Sequence, residues 1–316
     1  MAFRKERDHR TKSVELWRQG AVNIVVNSEK AGYAAEARSA HGPCVCDMGL
    51  RVRDADQTVR RASLLGSPEF AQPVGAGELN IPAIKGVGGT VVHFIDENSD
   101  LHRVWDIEFD PVPKAQAQPP AGLRRIDHVA QTMRYQDMKS WLTYYLSTFD
   151  MQKADVVDVV DPSGLVQSQA LASPEGEVRL NLNGAGTRQT FAGAFLTKGF
   201  GAGVQHIAFA SDDIFESSAQ LETAGFDRLP IPANYYDDLK VRHNLSTDLV
   251  ADMRASHILY DRDGAGEYFQ IYNTAFWGGF FFEIVERRGG YEGYGARNAP
   301  IRLAAQMQNI PLDEAS

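Results

Sequence analysis

Three side chains on three separate strand patterns can form one chemical set. Glu283 sits in Gly279-Phe-Phe-Phe-Glu-Ile-Val-Glu286, a run of aromatic and branched residues that reads as a strand. Side chains alternate faces along a strand, so Phe281, Glu283 and Val285 share one face and Phe280, Phe282 and Ile284 the other. An ionised carboxylate among such neighbours is costly to bury unless a positive charge meets it. No Lys or Arg lies within three residues of Glu283, which leaves a cation from outside the chain as one answer. His128, in Arg125-Ile-Asp-His-Val-Ala130, would share a face with Ile126 and Ala130, and His206, in Val204-Gln-His-Ile-Ala208, with Val204 and Ala208. Either histidine alone reads as a satisfied core or rim residue. With Glu283 they make two imidazoles and a carboxylate, the facial set of non-haem Fe(II) oxygenases, which leaves positions open for substrate and O2. Zn(II) and Mn(II) accept the same donors, so ligand type does not fix the metal.

The strands carrying these residues recur at a near-constant interval. His206 follows His128 by 78 residues and Glu283 follows His206 by 77. Residues 45–66 and 204–225 share a plan, Val-x-x-(Met/Ile)-(Gly/Ala)-(Leu/Phe), then Asp, a helix and Gly. One strand–helix–strands module repeated near every 78 residues accounts for all of these spacings. In the first half, residues 4–12 read as polar and 13–18 as short and mixed. Strands are expected at 21–26, 45–52, 88–95 and 104–109, helices at 31–40 and 54–66, and a loop at 78–86. Four prolines in residues 111–120 exclude helix and disfavour sheet. The expected organisation is therefore a domain over 1–110, a linker over 111–120 and a metal-binding domain over 121–316. That second domain should hold strands at 123–131, 156–160, 165–172, 177–182, 204–210 and 267–273 besides the Glu283 strand, with helices at 138–149 and 212–225.

Composition bounds the partners. The chain has 316 residues, 43% hydrophobic and 23% charged, which is ordinary for a soluble globular protein. A net charge of −9 with no Lys/Arg run argues against a nucleic-acid partner. No apolar run is long enough for a membrane span, and the charged N-terminus has no signal-peptide core. Cys44 and Cys46, the only cysteines, lie two apart on an expected strand, so a disulfide framework is not expected and the cytoplasm is the default compartment.

At this point the chain resembles 4-hydroxyphenylpyruvate dioxygenases, of the vicinal oxygen chelate superfamily. The resemblance runs nearly end to end. It is carried by His9-Arg-Thr-Lys-Ser13, Arg18-Gln-Gly20, His41-Gly-Pro-x-Val-Cys46 and Glu78-Leu-Asn-Ile-Pro-Ala-Ile-Lys-Gly86 in the first half. In the second it is carried by Ile126-Asp-His-Val129, Leu171-Ala-Ser-Pro174, Gly201-Ala-Gly-Val-Gln-His-Ile-Ala208, Ile258-Leu-Tyr-Asp-Arg-Asp263, Phe269-Gln-Ile-Tyr272 and Phe281-Phe-Glu-Ile284. The resemblance implies an α+β fold of tandem βαβββ modules in two open-barrel domains. It implies Fe(II) held by His128, His206 and Glu283, a small aromatic 2-oxo acid and O2 as reactants, and a homo-oligomer. Gln270 resembles the family's substrate-facing glutamine, and Ser168 and Asn183 its polar pocket residues. Tyr272 stands where the family has phenylalanine. The implied reaction converts 4-hydroxyphenylpyruvate to homogentisate with loss of CO2. A hydroxymandelate synthase-like enzyme, or a divergent module without turnover, are the rivals.

The chain also departs from that pattern. Thr190-Phe-Ala-Gly-Ala-Phe195 lacks the expected glutamines, and the hairpin from Gln270 to Glu283 is shorter. Arg297-Asn-Ala-Pro-Ile301 replaces a Gly-Asn-Phe whose ring would clamp the substrate. The tail over 293–306 is similar to dioxygenase-like domains fused behind a sugar-isomerase-type barrel in bacterial dehydroshikimate dehydratases. The family's first strand and helix would precede His9, so the first module is expected to be incomplete or trimmed. Asp47 and His93 occupy the module positions of His206 and Glu283 and are expected as a polar pair or separate surface groups. Asp261-Arg-Asp263 is expected as a turn.

Overall fold

The computed structural model of the protein describes residues 1–113, 119–264 and 266–309. Strands β1 (Arg4–His9), β2 (Val14–Gln19) and β3 (Val22–Asn27) form an antiparallel meander. Then come α1 (Tyr33–His41), β4 (Asp47–Arg51), α2 (Ala55–Leu64), β5 (Glu69–Phe70), β6 (Ala83–Lys85), β7 (Val91–Ile95), α3 (Val104–Ile107) and β8 (Phe109–Pro111). They make two four-stranded sheets, ordered β3-β2-β1-β8 and β4-β7-β6-β5. The Asp54 carboxylate accepts from the Gln57 N–H, capping α2 where the acidic signal predicts.

Several local expectations give way here. The charged residues 4–9 form β1, because partners on both sides satisfy the backbone and only His9 needs burying. Residues 104–109, expected as one strand, are α3 followed by β8. Ser99 caps a 3-10 turn that runs straight into α3, and the apolar Val104 and Ile107 fall three apart, a helical spacing. Part of the expected loop at 78–86 pairs with β7 as β6. Cys44 and Cys46 precede β4 instead of lying on it, and both are free thiols. Of the expected linker, Pro111 closes β8, and 114–118 lie outside the described residues.

The second part runs β9 (Leu123–Arg134), α4 (Tyr135–Thr148), β10 (Gln152–Asp161), β11 (Gly164–Ala172), β12 (Arg179–Ala185) and α5 (Phe191–Lys198). It continues with β13 (Gly203–Ser211), α6 (Ile214–Thr223), α7 (Ala233–His243), α8 (Thr247–Ala255), β14 (Leu259–Asp263), β15 (Gly266–Tyr272), β16 (Phe281–Arg288) and α9 (Ala299–Gln308). Its strands form one sheet ordered β10-β11-β12-β9-β13-β16-β15-β14. Read outward from the middle, each half is the same unit. β9 pairs in parallel with β12, β13 pairs in parallel with β16, and β9 and β13 run antiparallel along the seam. The segment from β4 to β7 repeats the unit with the same strand order. The fold is thus α+β, built from tandem βαβββ modules. Helices α7 and α8, strand β14 and helix α9 have no counterpart in the sequence reading. Asp261 to Asp263 is the end of β14 and no turn: Asp261 is buried and accepts from the Tyr291 hydroxyl at 2.7 Å.

The main core joins the curled sheet to the helices around it, with Phe209, Phe269, Tyr236, Leu239, Met253 and Leu303 in one cluster. The two parts of the chain touch closely at Gly88, whose φ is +64°. A Cβ there would sit 1.9 Å from the Ala202 carbonyl oxygen at the approach to β13, so only glycine fits. Among the described residues no helix is long and apolar enough to cross a membrane.

Candidate metal centre

Irregular pairing along the β9–β13 seam builds the site. His128 lies opposite Ala208 while Ile126 lies opposite Phe209, so Asp127 is an extra residue on β9. His206 lies opposite Ala130 while Val204 lies opposite Gln131, so Gln205 is an extra residue on β13. Each histidine stands beside a β-bulge, a device that re-aims a neighbouring side chain. The first bulge also breaks the alternation expected at Ile126, which is exposed and does not share the inward face of His128.

The three residues meet. His128 Nε2 and His206 Nε2 are 3.3 Å apart, and they lie 3.3 and 3.4 Å from Glu283 Oε2. All three are buried, at 2%, 7% and 2% exposure. A triangle of that size lets one ion touch all three atoms at ordinary bond lengths of about 2.0–2.2 Å. Burial by itself pulls both imidazoles toward the neutral form. In His128 the neighbouring carboxylates of Glu283 and Asp127 outweigh it and raise the pKa to about 9, whereas in His206 burial wins and lowers it to about 4. Burial opposes ionisation of Glu283, but the two imidazoles hold it well below the usual carboxylate range. The donor chemistry therefore suits a divalent ion: an anionic oxygen and two imidazole nitrogens converge on one point.

A surrounding layer fixes the three. While Oε2 of Glu283 faces the histidines, its Oε1 accepts from Gln270 Nε2 at 2.9 Å, from the Tyr272 hydroxyl at 3.0 Å and from the Tyr268 hydroxyl at 3.5 Å. Those donors come from alternate positions of β15, so one face of one strand holds the carboxylate. Burial and the nearby Glu283 charge raise both tyrosines well above the ordinary range, so they remain donors. His128 Nδ1 lies 2.9 Å from Asp127 Oδ1. Arg287 grips Asp127 with two hydrogen bonds, Nε to Oδ2 at 2.9 Å and Nη2 to Oδ1 at 2.8 Å. Phe281 stacks on His206 with ring centroids 4.6 Å apart.

The remaining sequence candidates separate. Gln270 donates to both Tyr272 and Glu283, and its Oε1 accepts from Asn298 Nδ2 at 2.8 Å, so its polar atoms are all engaged. Ser168 and Asn183 lie opposite each other on β11 and β12, and Asn183 lies opposite Thr132. By alternation along β9, this row is on the face of Thr132, Ala130 and His128. Asp47 and His93 hold the register positions of His206 and Glu283 and form a polar pair, His93 Nδ1 to Asp47 Oδ1 at 2.9 Å. Asp127, Arg287, Tyr268 and Asn298 were not singled out from sequence. Arg287 could have been, since it falls four residues after Glu283 on the same strand face.

With the geometry in hand, comparison with known proteins is specific. A family model described as hydroxyphenylpyruvate dioxygenase, N-terminal, matches residues 1–110. One described as the glyoxalase/bleomycin resistance protein/dioxygenase superfamily matches residues 125–265. A 4-hydroxyphenylpyruvate dioxygenase of Pseudomonas sp. (strain P.J. 874) is 33% identical, over 99% of this chain and 88% of its own length. A 3-dehydroshikimate dehydratase of Pseudomonas aeruginosa is 40% identical over 98% of this chain, but this chain spans only 48% of that protein. A solved structure described as a xylose isomerase-like TIM barrel/4-hydroxyphenylpyruvate dioxygenase fusion protein superposes with a TM-score of 0.83 at 38% identity. It covers 97% of this chain and 48% of the fusion.

Proposed function

Because this chain belongs to the 4-hydroxyphenylpyruvate dioxygenase family, we propose that it is an Fe(II)-dependent dioxygenase of an aromatic 2-oxo acid. Its first substrate to test is 4-hydroxyphenylpyruvate, with homogentisate and CO2 as products. The observation that carries this reading is the buried triangle of His128 Nε2, His206 Nε2 and Glu283 Oε2. Iron bound there would supply an open coordination face for the 2-oxo acid and the electrons for its reaction with O2.

The chain's own residues do the rest. Asp127, braced by Arg287, accepts the Nδ1 proton of His128 and so turns Nε2 toward the ion. Gln270, Tyr272 and Tyr268 immobilise Oε1 of Glu283, leaving Oε2 as the ligating atom. Gln270 is therefore assigned a positioning role, with Tyr272 beside it. Phe281 and Phe191 keep water from the His206 side. Ser168 and Asn183, on the face that carries His128, are assigned to the polar part of the substrate.

The test is reconstitution of metal-free protein with Fe(II), followed by O2 uptake and CO2 release on 4-hydroxyphenylpyruvate. Iron bound without turnover would overturn the substrate, and no iron bound would overturn the centre. Homogentisate against 4-hydroxymandelate as product separates the two related reactions. A second reading is a module without turnover of its own, attached to a dehydroshikimate dehydratase. It is favoured by the 40% identity to the Pseudomonas aeruginosa dehydratase. It predicts no O2 uptake with any of a panel of 2-oxo acids, even when iron is bound.

A further inference from the structure

The strongest unused feature beside the centre is a cation that no carboxylate meets among the described residues. Arg302, on α9, is half-buried, and its guanidinium lies 5.5 Å from the Tyr272 ring centroid and 5.2 Å from that of Phe281. Those are the rings that bond to Glu283 and stack on His206. Among the described residues Arg302 has no carboxylate partner, and its one hydrogen bond runs along its own helix, from Nη1 to Gln306 Oε1 at 2.5 Å. Gln306, at 3% exposure, keeps its Nε2 without a partner. On the sheet, Asn181 is 8% exposed with an unpartnered Oδ1. It lies opposite Ala130, which in turn lies opposite His206. Of the other arginines near the centre, Arg287 holds Asp127 and Arg288 holds Glu286.

A charged group part-buried without a counterion is costly, and a guanidinium prefers a carboxylate met by parallel N–H donors. Charge balance says where that carboxylate comes from. A divalent ion with Glu283 and two neutral imidazoles carries one positive charge, which the chelating carboxylate of a 2-oxo acid cancels. The charge on Arg302 is then left over, and the guanidinium makes no hydrogen bond to the ligand atoms themselves. We propose that Arg302, oriented by Gln306, recognises a second acidic group at the far end of the substrate. The acid this site binds best is then an aromatic or cyclic 2-oxo acid carrying a distal carboxylate. This rests on the proposed 2-oxo acid chelation and narrows its substrate class.

The probe is the Co(II)-loaded protein, whose visible spectrum reports chelation without turnover. Phenylpyruvate and 4-carboxyphenylpyruvate are titrated into wild type, Arg302→Met and Arg302→Lys. Wild type should bind the dicarboxylate about tenfold more tightly or better. Arg302→Met should lose that preference with phenylpyruvate affinity unchanged, and Arg302→Lys should keep part of it. Equal affinities in wild type, or a preference that survives in Arg302→Met, overturns the proposal. If neither acid perturbs the Co(II) spectrum, the chelation reading fails separately. Arg302 is then judged on metal-free protein with terephthalate, which should raise the melting temperature of wild type and not of Arg302→Met. No shift, or equal shifts, overturns it.

Discussion

Glu283 divides its two oxygens between two duties, and the division makes the neighbouring residues testable. Oε2 faces the histidines and Oε1 is held by β15, so what surrounds the carboxylate decides where it points. Asp127 does the same for His128. Asp127→Asn should lower affinity for Zn(II) or Co(II) by about 10–100-fold, the usual effect of losing a hydrogen bond behind a ligating histidine. Competition with a chromophoric chelator measures this, and unchanged affinity would remove Asp127 from the centre. Asp127→Ala also leaves Arg287 without its carboxylate, at a cost on the order of 3 kcal/mol in urea unfolding. Gly295 is a second sensitive position. Its φ is +59°, and a Cβ there would lie 2.2 Å from Gln270 Oε1. Gly295→Ala should cost about 2 kcal/mol or more, from left-handed backbone strain plus overpacking. A melting temperature within a degree of wild type would contradict that.

At the scale of elements, what was legible in the sequence follows from how each element is stabilised. β9, β13 and β16 are central strands with apolar neighbours on both sides, so their patterns announce them. The helix caps Asp54 and Asp213 were equally visible, because the capping hydrogen bond is local to the sequence. β1 was hidden, since Arg4–His9 contributes almost nothing to a core and is held by backbone pairing. The three residues that meet at the centre could be singled out from residue type and spacing, but their braces could not. Asp127 faces His128 because a bulge, set by register against β13, places it there. Helix α9 was read only as a departure from a known motif. It is an amphipathic helix that puts Leu303 into the main core. Leu303→Ala should destabilise the protein by about 2–5 kcal/mol. Leu64, 89% exposed at the end of α2, should tolerate Ala within about 0.5 kcal/mol. If Leu303→Ala behaves like Leu64→Ala in denaturant titration, α9 is not anchored as described.

At the scale of the whole molecule, the centre lies on a seam. His128 belongs to the module that begins with β9, while His206 and Glu283 belong to the one that begins with β13. The pairing between β9 and β13 joins the modules through the backbone, but that pairing is interrupted twice by bulges at the site itself. An ion held by all three residues would add a cross-link where the ladder is weakest. It would also give the buried Glu283 carboxylate a divalent counter-charge away from water. Ion binding to the folded state alone stabilises it by about 2.7 kcal/mol when free metal is a hundredfold above Kd. The melting temperature should therefore climb with metal concentration and fall back on addition of chelator. The shift should vanish in His128→Ala and in His206→Ala alike, although the two residues sit in different modules. Hydrogen exchange supplies the spatial check: protection should rise on both β9 and β13, on either side of the seam. Protection confined to the His206 module, or a full thermal shift in His128→Ala, would mean that the ion is held by one module alone.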